Sequence, residues 1–396
     1  MNKNKLAVMF ITFLVLIAIT PFIFSKLMNA KYNKMLNQLR QKGLVIKVVE
    51  DKSTYLTTDK ILDVTIPAEV LDLQNVAKSV RLKVETKFKN LPVTNVVFLN
   101  DVEEVKLLDS YAEIQKDVNE FFKNHVKFVV TTPNFRDYAY RFNDIDIKKD
   151  FNAVIKNIKG TLSVNDIVKN RFFIQTAYIK QGSQIIEIKS IKGDSEGNDK
   201  TYHSNVTFNV NVNLPSVKVQ VNDVTLKSYY SIDKKTNVIF SADFNKLLAK
   251  DVAQVENFKF KFSMKKVDTE ALEELSKNSQ SQEALNRVFE KGLCLGLTSS
   301  VKSAEITKQD LGGYDLTLSA DFLPTKDFAQ KIESKNIDFL NLHLHFVSSA
   351  QIANLIMNVY PQSAFLFALA KKENGNVELN LDIKKGRLYS NGQLVE

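Results

Sequence analysis

The stretch NVTFNVNVNL, Asn205–Leu214, alternates apolar and polar side chains residue by residue. Successive side chains of a strand point to opposite faces, so Val206, Phe208, Val210, Val212 and Leu214 share one face and the Asn and Thr residues the other. A strand that buries one face and wets the other belongs to an antiparallel sheet. The same period recurs at Val217, Val219 and Val221, at Phe258, Phe260, Phe262 and Met264, at Leu340, Leu342, Leu344 and Phe346, and at Leu379, Leu381 and Ile383. Turn chemistry punctuates these runs at Lys235-Thr236-Asn237, Gly312-Gly313, Asn374-Gly375-Asn376 and Ser390-Asn391-Gly392. The pattern predicts an α+β protein, mostly antiparallel β, built as an elongated curved sheet with short helices packed on one face.

The predicted helices are few. Asp268 or Thr269 caps EALEELSKN, and Ser281 opens QEALNRVFEK. A third begins near Ser348, with Gln351 in a capping-box position and a stripe of Ile352, Leu355, Ile356 and Val359, until Pro361 interrupts it. A loose strand-to-helix unit appears at 239–250, 262–275, 318–332 and 344–357, spaced too unevenly for a solenoid.

Outward from the strands, the amino end changes character. Leu6–Phe24 is an uncharged apolar run, long enough as a helix to cross roughly 30 Å of hydrocarbon. A cleaved secretory signal is the alternative, but its apolar core is shorter, and Met28 is large for the small-residue pattern before a cut at Met28-Asn29-Ala30. The run reads as an uncleaved signal anchor (6–24) after a cytoplasmic start (1–5). Lys3 and Lys5 hold that start inside, while Lys26, Lys31, Lys34, Arg40 and Lys42 pull the other way. Long domains translocate largely regardless of charge, so the bulk of the chain is expected outside. Met28, Tyr32, Met35, Leu36 and Leu39 carry a helical stripe to about Lys42, where Gly43 ends it, so 25–43 is expected as a helical stalk. A β-rich domain over 44–253 and an α+β domain over 254–396 follow.

Composition bounds the chemistry. The chain has 396 residues, 44% hydrophobic and 25% charged, as in folded globular proteins. Its net charge of +9 comes from scattered Lys residues; only Lys26, Lys31, Lys34, Arg40 and Lys42 cluster where anionic lipid headgroups would meet them. The phosphate-loop, nucleophile-elbow, dinucleotide and H-E-x-x-H patterns are absent, and no cofactor, metal or enzyme activity is expected. Cys294 lies in apolar GLCLGL, where burial raises a thiol pKa and makes it inert. His343 and His345 share a strand face but lack further ligands nearby in sequence. The acidic stretch GDSEGND, 193–199, fails the EF-hand spacing and reads as a loop between strands. Phe172-Phe173 beside Arg171 and Tyr229-Tyr230 near Lys227 offer stacking beside a cation, but aromatics inside strands are ordinarily core, and no nucleic-acid partner is expected.

The last third carries a family resemblance. A strand enters Val267-Asp268-Thr269-Glu270-Ala271-Leu272, an apolar helix leads to Asn376-Val377-Glu378-Leu379-Asn380-Leu381-Asp382-Ile383, and the chain closes with Lys385-Gly386-Arg387-Leu388-Tyr389-Ser390-Asn391-Gly392-Gln393-Leu394. This resembles the ending of the YdgA-like family of bacterial envelope proteins, i-x-i-x-x-G-x-L-x-V-N-G-x-x-L. Ser390 departs from it where a β-branched residue is common, and Val267 where Leu is frequent. The resemblance covers the anchor and about 255–394. It implies an inner-membrane anchor with the bulk of the chain in the periplasm, and brings no catalytic residues. Two functions are set against each other. One is a non-enzymatic scaffold or accessory of an envelope assembly, docking protein partners through Ile352, Leu355, Ile356 and Val359. The other is binding or transfer of a lipid or other hydrophobic ligand in an apolar groove of the curved sheet.

Overall fold

A computed structural model describes residues 28–54, 57–71, 73–89, 95–148, 152–277 and 281–395. The Leu6–Phe24 run and Lys26 lie outside these residues. Among the described residues no helix is long and apolar enough to cross a membrane. The chain is mostly antiparallel β and divides into two compact units, Met1–Gln175 and Thr176–Glu396. The boundary expected at 253/254 instead falls just past a hairpin turn, where Ala249 pairs with Ala253.

In the first unit, helix α1 (28–41) precedes strands β1 (Val45–Asp51), β2 (Thr57–Pro67), β3 (Ala77–Lys89) and β4 (Val96–Leu107). Helix α2 (Gln115–His125) then leads to β5 (Lys127–Thr132), β6 (Asp137–Phe142), the hairpin β7 (Ile145–Lys148) and β8 (Asn152–Lys156), β9 (Lys159–Val164) and β10 (Val168–Gln181), whose residues after Gln175 are counted with the second unit. The sheet runs β1-β2-β3-β4-β5-β6-β9-β10, antiparallel throughout. Beyond its pairing with β5, β4 is held by α2. Asn119 Oδ1 accepts the Val105 N–H at 2.7 Å, and Gln115 Oε1 accepts the Leu107 N–H at 2.7 Å.

The stripe that predicted a free stalk is core. Met28, Tyr32 and Leu36 are buried with Leu62, Val64, Leu82, Val84 and Phe98, and Met35 and Leu39 pack against them. A helical stripe tells which face seeks cover, not what covers it, and here the sheet of the same unit does. The helix ends as expected. Gly43 has φ +91°, its N–H bonds to Arg40 O at 2.9 Å, and the Leu44 N–H reaches Leu39 O at 3.2 Å, a Schellman closure that needs a left-handed residue at Gly43.

The second unit is a meander of long strands: β11 (Gln184–Gly197), β12 (Thr201–Asn213), β13 (Lys218–Ser231), β14 (Lys235–Ala249) and β15 (Ala253–Asp268). Helices α3 (Thr269–Lys277) and α4 (Gln282–Glu290) intervene before β16 (Leu293–Ile306) and β17 (Gln309–Phe322), and α5 (Phe328–Glu333) precedes β18 (Leu340–Ser349). Helices α6 (Ala350–Val359) and α7 (Ala364–Ala368) and strands β19 (Lys371–Glu373), β20 (Asn376–Lys384), β21 (Arg387–Ser390) and β22 (Gln393–Leu394) complete it. From β11 to β18 every strand pairs with the next in sequence, and β20 closes on β18. One core lies under α3 and α4 at Val267, Ala271, Val288 and Leu293, another under α6 and α7 at Phe346, Phe367, Leu379 and Leu381.

Several local expectations shift. Residues 239–249 are all strand, because β14 is paired on both sides, Leu247 with Val221 and Val255. Residues 193–197 belong to β11 rather than a loop, with Asp194 opposite Asn205. Gly312-Gly313 lies within β17 at a register shift, and the hairpin turn is made by Thr307 and Lys308, both at positive φ. Ser349, not Ser348, caps α6, its Oγ accepting the Ile352 N–H at 3.2 Å. Ser348 is still in the β18 ladder, between Tyr314 and Val377. Ser281 caps α4 as read, and Pro361 separates α6 from α7.

Asp268 ends β15 and caps α3, accepting the Ala271 N–H at 3.3 Å beside the Lys235 ammonium at 3.4 Å. Burial works to raise its carboxyl, but the Ala271 amide and Lys235 outweigh it, so it titrates below the ordinary aspartate value. A depressed native pKa gives stability that is complete above the unfolded value and is lost as pH falls through the native one. Asp268→Asn keeps the cap acceptor without the charge. The wild type should therefore exceed it in urea midpoint at neutral pH and lose that advantage below about pH 4. A gap constant with pH would refute the assignment.

Candidate functional site

In the first unit, α1 and the sheet beneath it leave a groove of about 1040 Å³, at the upper end of the roughly 300–1,000 Å³ of small-molecule sites. Antiparallel pairing assembles its floor from distant segments. One cross-strand row is Leu62, Val84, Asn100, Phe128 and Phe142, and the next is Phe98, Val130, Tyr140 and Gly160. The roof is α1, through Met35, Leu36 and Leu39. Gly160 is required here. A Cβ at that position would stand 2.4 Å from the Tyr140 hydroxyl and 2.2 Å from Arg171 O, so only glycine lets the Tyr140 ring lie across β9.

The polar atoms of the walls are committed to the protein. Asn100 Nδ2 donates to Phe98 O at 3.0 Å and Phe128 O at 3.2 Å. The hydroxyl of Tyr138 donates to Phe135 O at 2.8 Å, and that of Tyr140 to Asn170 Oδ1 at 3.0 Å. Burial pushes both phenols above their ordinary pKa, with the Asn170 contact opposing it at Tyr140, so both stay protonated donors. The groove thus presents hydrocarbon and aromatic surface to whatever enters it.

A second apolar surface lies in the other unit. Cross-strand pairs align Ile188, Val210, Val221, Leu247, Val255 and Ala304 in one row, and Val206, Leu226, Ala242 and Phe260 in another. The alternation that predicted one dry face is present, yet no apolar residue between Val154 and Val267 is buried. Among the described residues no helix lies in that span of sequence to cover the rows. Ser190 and Asp223 take positive φ where β11 and β13 bulge against β12, and such bulges bend strands. The Asp223 bulge is pinned by its N–H on Asn209 Oδ1 and by Asn245 Nδ2 on its carboxylate, both at 2.8 Å.

The residues singled out from sequence divide. Lys31, Lys34, Arg40 and Lys42 are exposed on α1. Arg40 is engaged, its guanidinium on Asn37 Oδ1 at 3.0 Å and Ile46 O at 3.3 Å. Of the α6 stripe, Ile352 is buried and Ile356 packs against the core, so neither offers a docking surface, whereas Leu355 (43% exposed) and Val359 (59%) face solvent with Tyr360 (58%) and Phe365 (65%). The cross-strand register gives His343 an acidic neighbour that sequence distance hid. Its Nδ1 lies 3.1 Å from Asp382 Oδ1, which Lys384 Nζ also approaches at 3.4 Å. His345 Nδ1 is 2.5 Å from Asn380 Oδ1. Cys294 Sγ donates to Asp321 Oδ1 at 2.9 Å, and burial, then that carboxylate, raises the thiol above its ordinary pKa. Cys294, Asp321, His343, Asp382 and Lys384 line a concavity of about 1090 Å³ whose charges largely offset one another. Among the described residues no group of three His, Cys, Asp or Glu side chains is placed to hold a metal ion.

No family model, curated protein or solved structure matches this chain.

Proposed function

We propose that the protein is a non-enzymatic binder of lipid acyl chains or comparable hydrophobic ligands, held at a membrane surface. The observation that carries this reading is the α1-roofed groove, whose wall polar groups are already satisfied within the protein. An acyl chain needs no hydrogen-bond partners and gains about 0.8 kcal/mol for each methylene removed from water. The rows of β11–β15 support the same reading, since they present aligned apolar side chains and no helix lies in that span of sequence to cover them. The setting we infer is an anchor at Leu6–Phe24 with the bulk of the chain in the bacterial periplasm, in keeping with the YdgA-like character of 376–394.

A second reading, a scaffold or accessory of an envelope assembly, is favoured by one observation, the exposed cluster of Leu355, Val359, Tyr360 and Phe365.

The test is photo-crosslinking in membranes that contain the full chain and a diazirine-bearing fatty acid. Peptide mapping is expected to place adducts in α1 and in β2–β6. Adducts confined to Leu6–Phe24, or none, would count against the groove. Protein-only cross-links centred on α6 and α7 would move the reading to the scaffold.

A further inference from the structure

The groove is not uniform along its edge. Gln38, Gln41 and Lys42 lie along one side of the last turn of α1 and border the opening. Spacings of three and four residues place side chains together on a helix surface. The side chains of all three have no partner among the described residues, in contrast to Asn100, Tyr138 and Tyr140 deeper in. Among the described residues Lys42 is the only charged one lining the groove, and no Asp or Glu lines it.

Resting on the reading of the groove as a hydrophobic-ligand site, we propose that its ligand is a long-chain fatty carboxylate, with the carboxylate on Lys42 and the amides of Gln38 and Gln41 and the tail along the Leu62–Phe142 row. Charge complementarity selects the head: a single free ammonium balances a single negative charge, and the two amides supply neutral donors beside it. The satisfied walls select the tail, because a second polar group carried inside would lose its water and find no free partner. The groove's volume, about 1040 Å³, gives a long tail room to lie along that row.

The experiment uses the full-length chain in an amphipathic polymer, loaded with the diazirine fatty acid and challenged with oleate, methyl oleate or dioleoyl phosphatidylglycerol. Oleate is expected to displace the label at about tenfold lower concentration than methyl oleate, the weight of one charge-assisted contact at a partly wetted rim. Lys42→Met should abolish that preference and Lys42→Arg should keep it. Lys42 is also the C-cap residue of α1, so thermal unfolding of each variant is followed alongside; equal melting with unequal ligand preference assigns the effect to the ligand. Equal displacement by oleate and methyl oleate in the wild type overturns the headgroup assignment while leaving the apolar groove standing. Displacement by none of the three overturns both. Stronger displacement by the phosphatidylglycerol overturns the carboxylate in favour of a diacyl phospholipid.

Discussion

Tyr32→Ala unseats α1 from the first unit and lowers its stability by about 3–5 kcal/mol, the range for a large aromatic deleted from a core. The ring is fully buried, with Phe88, Phe98 and Phe135 at centroid distances of 6.0, 6.5 and 6.3 Å. Its hydroxyl donates to Thr86 Oγ1 at 3.2 Å, and Thr86 is itself inaccessible to water. Burial raises the phenol pKa, so the donor persists through any ordinary pH. Tyr32→Phe separates the two contributions. It keeps the ring and removes one hydrogen bond, and should cost about 1 kcal/mol. Chemical denaturation followed by circular dichroism reads both variants. Proteolysis within 28–41 should rise steeply in Tyr32→Ala and hardly at all in Tyr32→Phe. A Tyr32→Ala protein as stable as the wild type would return α1 to the role of an independent stalk.

Val130→Trp closes the groove from its floor, at a residue that packs only in part against the core beneath α1. Val130 is half-buried on β5, in the floor row between Phe98 and Tyr140, and its side chain faces open volume. An indole there occupies space that a ligand would use. Overpacking a filled core costs about 1–3 kcal/mol, and here the free volume should hold the penalty below about 1 kcal/mol. Labelling by the diazirine fatty acid should fall by about tenfold or more, since each methylene kept out forfeits about 0.8 kcal/mol. Undiminished labelling in a folded Val130→Trp protein would falsify the groove as the ligand site.

Much of the architecture was readable from side-chain period. The strands at 205–213, 258–264, 340–346 and 379–383 lie where alternation put them, and the caps at Asp268 and Ser281 and the break at Pro361 follow from local chemistry. What escaped was set by pairing over long separations. The stripe of α1 looks the same whether the helix stands free or roofs a sheet, and only the placement of Leu62, Val84 and Phe98 decides between them. The floor of the groove draws on β2 through β9, more than 80 residues of chain with no local signature. His343 meets Asp382 across 39 residues through one register pair. At 239–250 the pattern suited helix as well as strand, and two-sided pairing chose the strand. The one local clue to the docking of α1 on the sheet was Tyr32: an aromatic with a hydroxyl, in an otherwise aliphatic stripe, asks for a buried polar partner, and Thr86 provides it.

The neighbour-to-neighbour ladder of β11 to β18 also bears on how the second unit is made. No strand in that series waits for a distant segment; each pairs with the one that precedes it in the chain. Closing a short loop costs little entropy, and folds rich in sequence-local contacts form quickly for their size. A chain that emerges amino end first can therefore add one hairpin arm at a time to an edge already formed. The edge of each newest strand stays open only until the next strand arrives.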